Sequence, residues 1–293
     1  LLLFSIKHTR GDFWRTIPFN PCLGQGKHRQ IVEVQCQREY EGKGAHPNYI
    51  AHGVIEGFEE YKRLMPPDVP HCLRDISQHP NFAGVWTWSR GGGWMGPKIE
   101  HELWCELNAG ALATWTRQPE RSETDVFDEV CERIGIANTS REHFRRLCLL
   151  SADGVLRGQA SYEGGMDLFS NQVNNSEASS YYSIETGIEI LWTRDEYIGG
   201  FQQLSRTLDT ILQEGRMANV IADREAAGRI WEEIESLAKT IHCAEPDMQE
   251  YIAISAKYGR IKYQIFEQSW KIMLLAKSGE QARHVDRDVL VPL

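Results

Sequence analysis

Three short apolar runs, each followed by a charge- or glycine-rich loop, constrain the first 117 of the 293 residues more than any other feature. Residues 1–8 carry Leu1-Leu2-Leu3-Phe4-Ser5-Ile6, residues 31–37 carry Ile31, Val32 and Val34, and residues 82–88 run into Gly91-Gly92-Gly93. β-Branched and aromatic side chains suit a pleated, half-buried surface, so each run is predicted to be a strand. Between the second and third, Ile55, Phe58, Glu59 and Lys62 recur at helical spacing. That helix should end at Met65, because Pro66 disfavours helical backbone in the residue before it. A stretch rich in Leu and Ala predicts another helix over 98–117. Strand, loop and helix repeated in this order is the grammar of a parallel α/β fold.

The texture changes after Pro119. Ser122 with Asp125 reads as a helix N-cap, and Thr139 with Glu142 and Thr193 with Glu196 read as capping boxes. Residues 170–180 are polar and read as a loop. Leu and Ile at helical spacing continue to about residue 241, after a Gly199-Gly200 pair that either delays the helix or allows close packing. A further helix is expected over 247–277. The expected organisation is therefore α/β over 1–118 followed by an all-α domain over 119–293, with no internal repeat.

The chain does not open with Met, and its first apolar run is too short for a signal-peptide core or a membrane span. It reads as a buried strand that begins abruptly, and the expectation is a fragment of a longer protein. A formal charge of −9 argues against a phosphate-backbone binder, which would carry a basic face. Seven cysteines, scattered singly, form no Cys-x-x-Cys pair, which argues against a disulfide framework and leans toward a reducing, cytoplasmic address. His46, His52, His71, His79 and His101 have no ligand spacing, so no metal is expected. Trp86, Trp88, Trp94, Trp104 and Trp115 crowd into thirty residues, where indole faces can stack on sugar rings but more often fill a core.

Chemistry-bearing clusters follow each strand. Lys7 to Arg15 sets Asp12 among cations beside Phe13 and Trp14. Gln37-Arg38-Glu39-Tyr40-Glu41-Gly42 follows the second strand, and Trp86 to Trp94 follows the third, with Arg90 and the glycine triplet inside it. Strand ends of this kind build the active face of a (β/α)8 barrel. Solvated loops with surface ion pairs are the alternative reading of the same residues.

Asp12-Phe13 continuing to Pro18-Phe19-Asn20-Pro21, with Lys7 five residues earlier, resembles a segment of the α-glucuronidases of glycoside hydrolase family 67. Glu39-Tyr40-Glu41-Gly42 is similar to that family's Glu-Tyr-x-Gly segment, and Gly84-Val85 with Trp94-Met95-Gly96 to its Gly-Val…Trp-x-Gly pattern. The resemblance covers about 1–118 and implies the last three strands of a (β/α)8 barrel followed by a helical C-terminal domain. It implies an inverting hydrolase that releases (4-O-methyl)glucuronic acid from xylo-oligosaccharides. Asp12 and Glu39 would be the base-side carboxylates. Lys7 and Arg10 would hold the substrate carboxylate, with Trp88, Arg90 and Trp94 around the sugar.

The family's general acid is a Glu on an earlier strand, so the chain alone is expected to hydrolyse little. No cofactor and no membrane partner are implied, and a homodimer through the helical domain is. Trp86-Thr87 stands where the family has Ser-Asn, which keeps open a hydrolase for a different glycoside. A non-catalytic carbohydrate-binding or helical interaction protein, with Trp88 and Trp94 as platforms, is the reading from another class. Three strands of an eight-stranded barrel would also leave two open edges.

Overall fold

The computed structural model describes residues 2–11, 15, 17–35, 44–88, 102–164 and 198–285, and for 35, 88, 198–204 and 280–285 the backbone alone. Strands β1 (Leu3–Lys7), β2 (Arg29–Gln35) and β3 (Phe82–Trp88) form a parallel sheet in the order β1-β2-β3. All three predicted strands are present and the fold is mixed α/β. Val32 and Val34, both fully buried, share one face of β2, while Ile31 and Glu33 on the other are only half-buried. The expectation of a buried first strand is overturned. Leu2, Leu3 and Phe4 are 58%, 45% and 45% exposed. Among the described residues β1 pairs with β2 alone, and apolar composition cannot distinguish an edge strand from a central one.

Between β2 and β3 the register slips. Gln30 pairs with Phe82, yet Val32 pairs with Val85, so β3 accommodates one extra residue. Gly84 takes the strain with φ of 125°, a conformation that other residues rarely adopt. Beyond it Glu33 stands beside Trp86.

The single helix expected around residues 55–62 is two short ones, α1 (Ala51–Glu56) and α2 (Tyr61–Leu64), separated at Gly57 with φ of 102°. Periodicity carried across the break because Phe58 turns back into the core. The predicted stop holds, with Met65 extended before Pro66. After α3 (Leu73–Ser77) and β3 comes α4 (Leu103–Arg117), which packs on β3 and buries Trp104, Leu107 and Trp115. No side chain of its own caps α1. Asn108 of α4 does so instead, its Oδ1 accepting from Ile50 N and Ala51 N at 2.8 and 2.9 Å. Its Nδ2 donates to Asn48 O and Trp104 O.

Ser122 caps α5 (Glu123–Arg133) as predicted, accepting from Asp125 N at 3.1 Å. A 3-10 turn, Asn138–Ser140, precedes α6 (Arg141–Gln159), so the chain is already helical where the Thr139–Glu142 box was expected to start it. The Thr193–Glu196 box and the 170–180 loop lie outside the described residues. The periodic stretch to 241 is α7 (Ile198–Gln213) and α8 (Met217–Ala238), parted at Gly215, with Gly199 and Gly200 in the first turn of α7. Pro246 opens α9 (Pro246–Val285), where its missing N–H costs nothing.

Strand–helix alternation gives way to helices alone near residue 118. The chain divides into two compact units, residues 1–155 with 230–260 and residues 156–229 with 261–293. In the first, the Trp231 indole is fully buried and meets His46 edge-on at 5.0 Å. Gly154 and Gly259 let helix backbones approach it, since a Cβ at Gly259 would stand 2.2 Å from the indole. In the second unit Asp223 accepts from Arg157, from Ser161 and from the backbone N–H groups of 162, 163 and 164. Neighbouring Arg224 donates to the Arg157 and Ala160 carbonyls at the end of α6 and covers the Trp270 ring at 4.7 Å. A carboxylate and a guanidinium on one helix thus satisfy both kinds of backbone group left over where α6 ends.

Gly259→Ala and Gly279→Ala separate propensity from packing on the same helix. Alanine is favoured by about 1 kcal/mol in a helix interior, and overpacking costs about 1–3 kcal/mol. Gly279→Ala, whose Cβ meets nothing within 4 Å, should raise the urea midpoint. Gly259→Ala should lower it.

Candidate functional site

Parallel pairing in sequential order sets the C-terminal ends of β1, β2 and β3 along one edge of the sheet. Lys7 is the last residue of β1, and Trp88 is the last of β3, where its backbone pairs with Gln35. Arg10 is exposed, three residues past β1, with its N–H donating to Pro18 O at 2.9 Å. Asp12, Glu39, Arg90 and Trp94 lie outside the described residues, as does the Trp88 side chain. Each belongs to a segment that leaves one of these strand ends.

On the face opposite Val32 and Val34, a row of register partners crosses the sheet from Lys7 to Glu33 to Trp86. Adjacent strands are roughly 5 Å apart, so the ammonium-bearing and carboxylate-bearing residues are direct neighbours. Trp86 is 38% exposed, and its Nε1 donates to Ser5 Oγ at 2.8 Å. This row offers a cation, a carboxylate and an aromatic face side by side. Glu33 lies inside β2, not in a loop beyond a strand end. The alternation of Ile31 and Glu33 against Val32 and Val34 was the available signal.

The loop leaving β1 is built rather than solvated. Thr9 and Phe19 form an antiparallel bridge, and Asn20 N donates to His8 O at 2.8 Å. His8 and Thr9 are buried. Arg15, which the alternative reading placed among surface ion pairs, is 4% exposed. Its Nε pairs with Glu60 at 2.5 Å, a second N–H reaches Ala152 O, and Phe58 lies under the guanidinium at 4.6 Å. The base and the far side of the loop carrying Asp12 are therefore both anchored.

A second polar cluster was invisible in the sequence. Glu123, 1% exposed at the start of α5, accepts from the Tyr49 hydroxyl, from His52 Nδ1 at 2.8 Å and from Arg145 Nη2 at 2.6 Å. Burial pushes its carboxyl upward, but the His52, Arg145 and Tyr49 hydrogen bonds outweigh it and hold the group at about 2. Tyr49 is driven well above its ordinary value by burial and by the adjacent carboxylate. Nearby Glu56 binds Arg74 and accepts from Glu123 N at 3.2 Å. With its anion saturated by donors, Glu123 is a cross-link between α1, α5 and α6 and not a proton acceptor. Burial also pushes the Cys72 and Cys131 thiols up to about 12, and raises Cys148. None of these three is a thiolate nucleophile at neutral pH.

Among the described residues, no three His, Cys, Asp or Glu side chains group as a metal site would require, and no helix is long and apolar enough to cross a membrane. No known family model matches the chain, and no curated protein matches its sequence.

Glu123 makes stability pH-dependent in a defined window. Its anion is favoured in the folded chain, with a pKa of about 2 against 4.5. The stabilisation, about 3 kcal/mol, is complete above pH 4.5 and drains away as pH falls toward 2. Glu123→Gln should remove this acid limb from denaturation curves. At neutral pH it should cost about 3 kcal/mol, because half-buried Arg145 loses the charge that pairs with it.

Proposed function

We propose that the chain is the C-terminal portion of a (β/α)8 glycoside hydrolase resembling the inverting α-glucuronidases, acting on (4-O-methyl)glucuronic acid at the end of xylo-oligosaccharides. The observation that carries this reading is the parallel, sequential pairing of β1, β2 and β3. It starts the segments bearing Asp12, Glu39 and Trp94 from one edge of one sheet, the arrangement a barrel active site requires.

In this reaction a carboxylate takes a proton from water, and the water oxygen bonds to the anomeric carbon as the glycosidic bond breaks. A general acid then protonates the departing xylose oxygen. Inversion keeps acid and base roughly 6.5–9.5 Å apart, leaving room for the water. Asp12 and Glu39 follow adjacent strands and act together on the base side, each raising the other's proton affinity. Lys7, half-buried at the end of β1, holds the glucuronate carboxylate by charge-assisted hydrogen bonds, with Arg10 as the outer cation. Trp88, Arg90 and Trp94 flank the sugar, and no cofactor takes part. The acid of the resembled family stands on an earlier barrel strand.

Exposure of Trp86 beside the Lys7–Glu33 row favours one second reading, a carbohydrate-binding protein without catalysis. Titration calorimetry with glucuronic acid, together with aldouronic-acid hydrolysis, separates the two. The proposal expects binding that Lys7→Met weakens at least about tenfold, the loss of one charge-assisted contact of about 1.5–3 kcal/mol. It expects little turnover by this chain alone, since an acid–base group contributes about 10²–10⁴-fold. Turnover must appear when the chain is extended to include an upstream strand-end Glu, and must disappear with Asp12→Asn or Glu39→Gln. Binding that survives both substitutions, in an extended protein that never hydrolyses, would establish the second reading.

A further inference from the structure

The Trp86 indole is tied across the sheet. Its Nε1, on β3, donates to Ser5 Oγ on β1 at 2.8 Å, with β2 lying between them. Two strand spacings amount to roughly 10 Å, so this bond is reached only with the ring laid down over β2. There it slants from the level of Glu33 to that of Ile31, the β2 partners of Trp86 and Ser5. One face of the ring lies toward the strands, and the residue keeps 38% of its surface exposed. Ser5 and Lys7 share a face of β1, so Lys7 and Glu33 together border the ring toward the C-terminal ends of the strands. Glu33 is half-buried, and no described residue donates to its carboxylate.

We infer that this platform selects the sugar: Trp86 stacks on the flat face of a hexuronate whose hydroxyls are all equatorial, and Glu33 accepts from two neighbouring hydroxyls. The inference deepens the reading above and takes from it the placement of Lys7 on the substrate carboxylate. Equatorial hydroxyls leave only C–H bonds on the two ring faces, which suits them to an indole. A carboxylate has two acceptor oxygens and no donor, which matches a vicinal pair of hydroxyls on the rim. The two charges also fix which way round the sugar lies. Glu33 repels the uronate carboxylate and Lys7 attracts it, so the hydroxyl edge meets β2 and the acid meets β1. An axial hydroxyl, such as O4 of galacturonate, would project from one face and lift the ring off the indole. Because the resembled family has Ser-Asn at the positions of Trp86-Thr87, the platform is a feature of this chain.

Titration calorimetry with glucuronic and galacturonic acids tests the selection. The chain should bind glucuronic acid at least about fivefold more tightly than galacturonic acid. Trp86→Ala should weaken glucuronic acid at least about tenfold and abolish that preference. Glu33→Gln should weaken both acids by a similar factor, at least about fivefold, because the hydroxyls it serves are common to both. Far-UV circular dichroism checks that each variant is folded. A readout that needs no folded variant for its outcome is the Trp86 indole N–H resonance, assigned by its absence from Trp86→Phe, which should shift on saturation with glucuronic acid. A wild-type chain that does not bind glucuronic acid, an unshifted resonance, or a preference that survives Trp86→Ala would overturn the platform. Undiminished binding by Glu33→Gln would overturn the role of Glu33. The hydrolase reading fails separately. If this binding pattern holds while the extended protein never hydrolyses, the platform stands without the reaction; if hydrolysis appears and neither substitution alters binding, the reaction stands without the platform.

Discussion

Parallel strand pairing needs a connection that carries the chain back to the starting edge of the sheet, and two-residue turns cannot supply it. The sequential order of β1, β2 and β3 therefore dictates much of what surrounds them. After β1 the chain returns through a stapled loop; after β2 it returns through α1, α2 and α3. Because every strand runs the same way, every outgoing segment leaves from one edge. That edge is where Lys7 ends its strand and where the segments bearing the acidic and aromatic candidates begin. The Gly84 bulge adjusts the last strand so that Trp86, and not its neighbour, joins the row of Lys7 and Glu33.

Charged side chains, placed where apolar ones would be expected, connect segments far apart in the chain. Arg15 reaches Glu60, Glu123 gathers Tyr49, His52 and Arg145, and Asp223 with Arg224 closes the end of α6. A buried ion pair is poor evidence of net stability, because desolvation offsets its attraction. What it supplies is geometric demand, since a wrong arrangement leaves a bare charge inside. The Arg15 anchor matters for the proposed chemistry because it ties down the loop bearing Asp12. The Glu123 cluster lies in the same unit and organises helices, with no open position on its carboxylate for a reacting group.

α9 carries two apolar faces. One helix cannot bury opposite stripes within a single layer of packing, so Ile254, Ile261, Ile272 and Leu275 stay exposed while Ile252, Trp270 and Leu274 are buried.

Local rules, acting over a few residues, determined a good deal. β-Branched runs marked the strands, Pro66 stopped a helix and Ser122 capped one, and the drift from strand to helix near residue 118 followed from periodicity. Where those rules were silent, tertiary structure decided. Composition could not say that β1 would stand exposed, that Gly57 and Gly215 would each split a periodic stretch, or that Asn108 would cap a helix some sixty residues away. Nor could it give Glu33 its neighbours Lys7 and Trp86, which the register of the strands decides, or Glu123 its partners, which come from three separate segments. Hydrophobic period is a property of one segment and survives in the sequence. Pairing register, burial and charge neutralisation are relations between segments and exist only once the chain has folded.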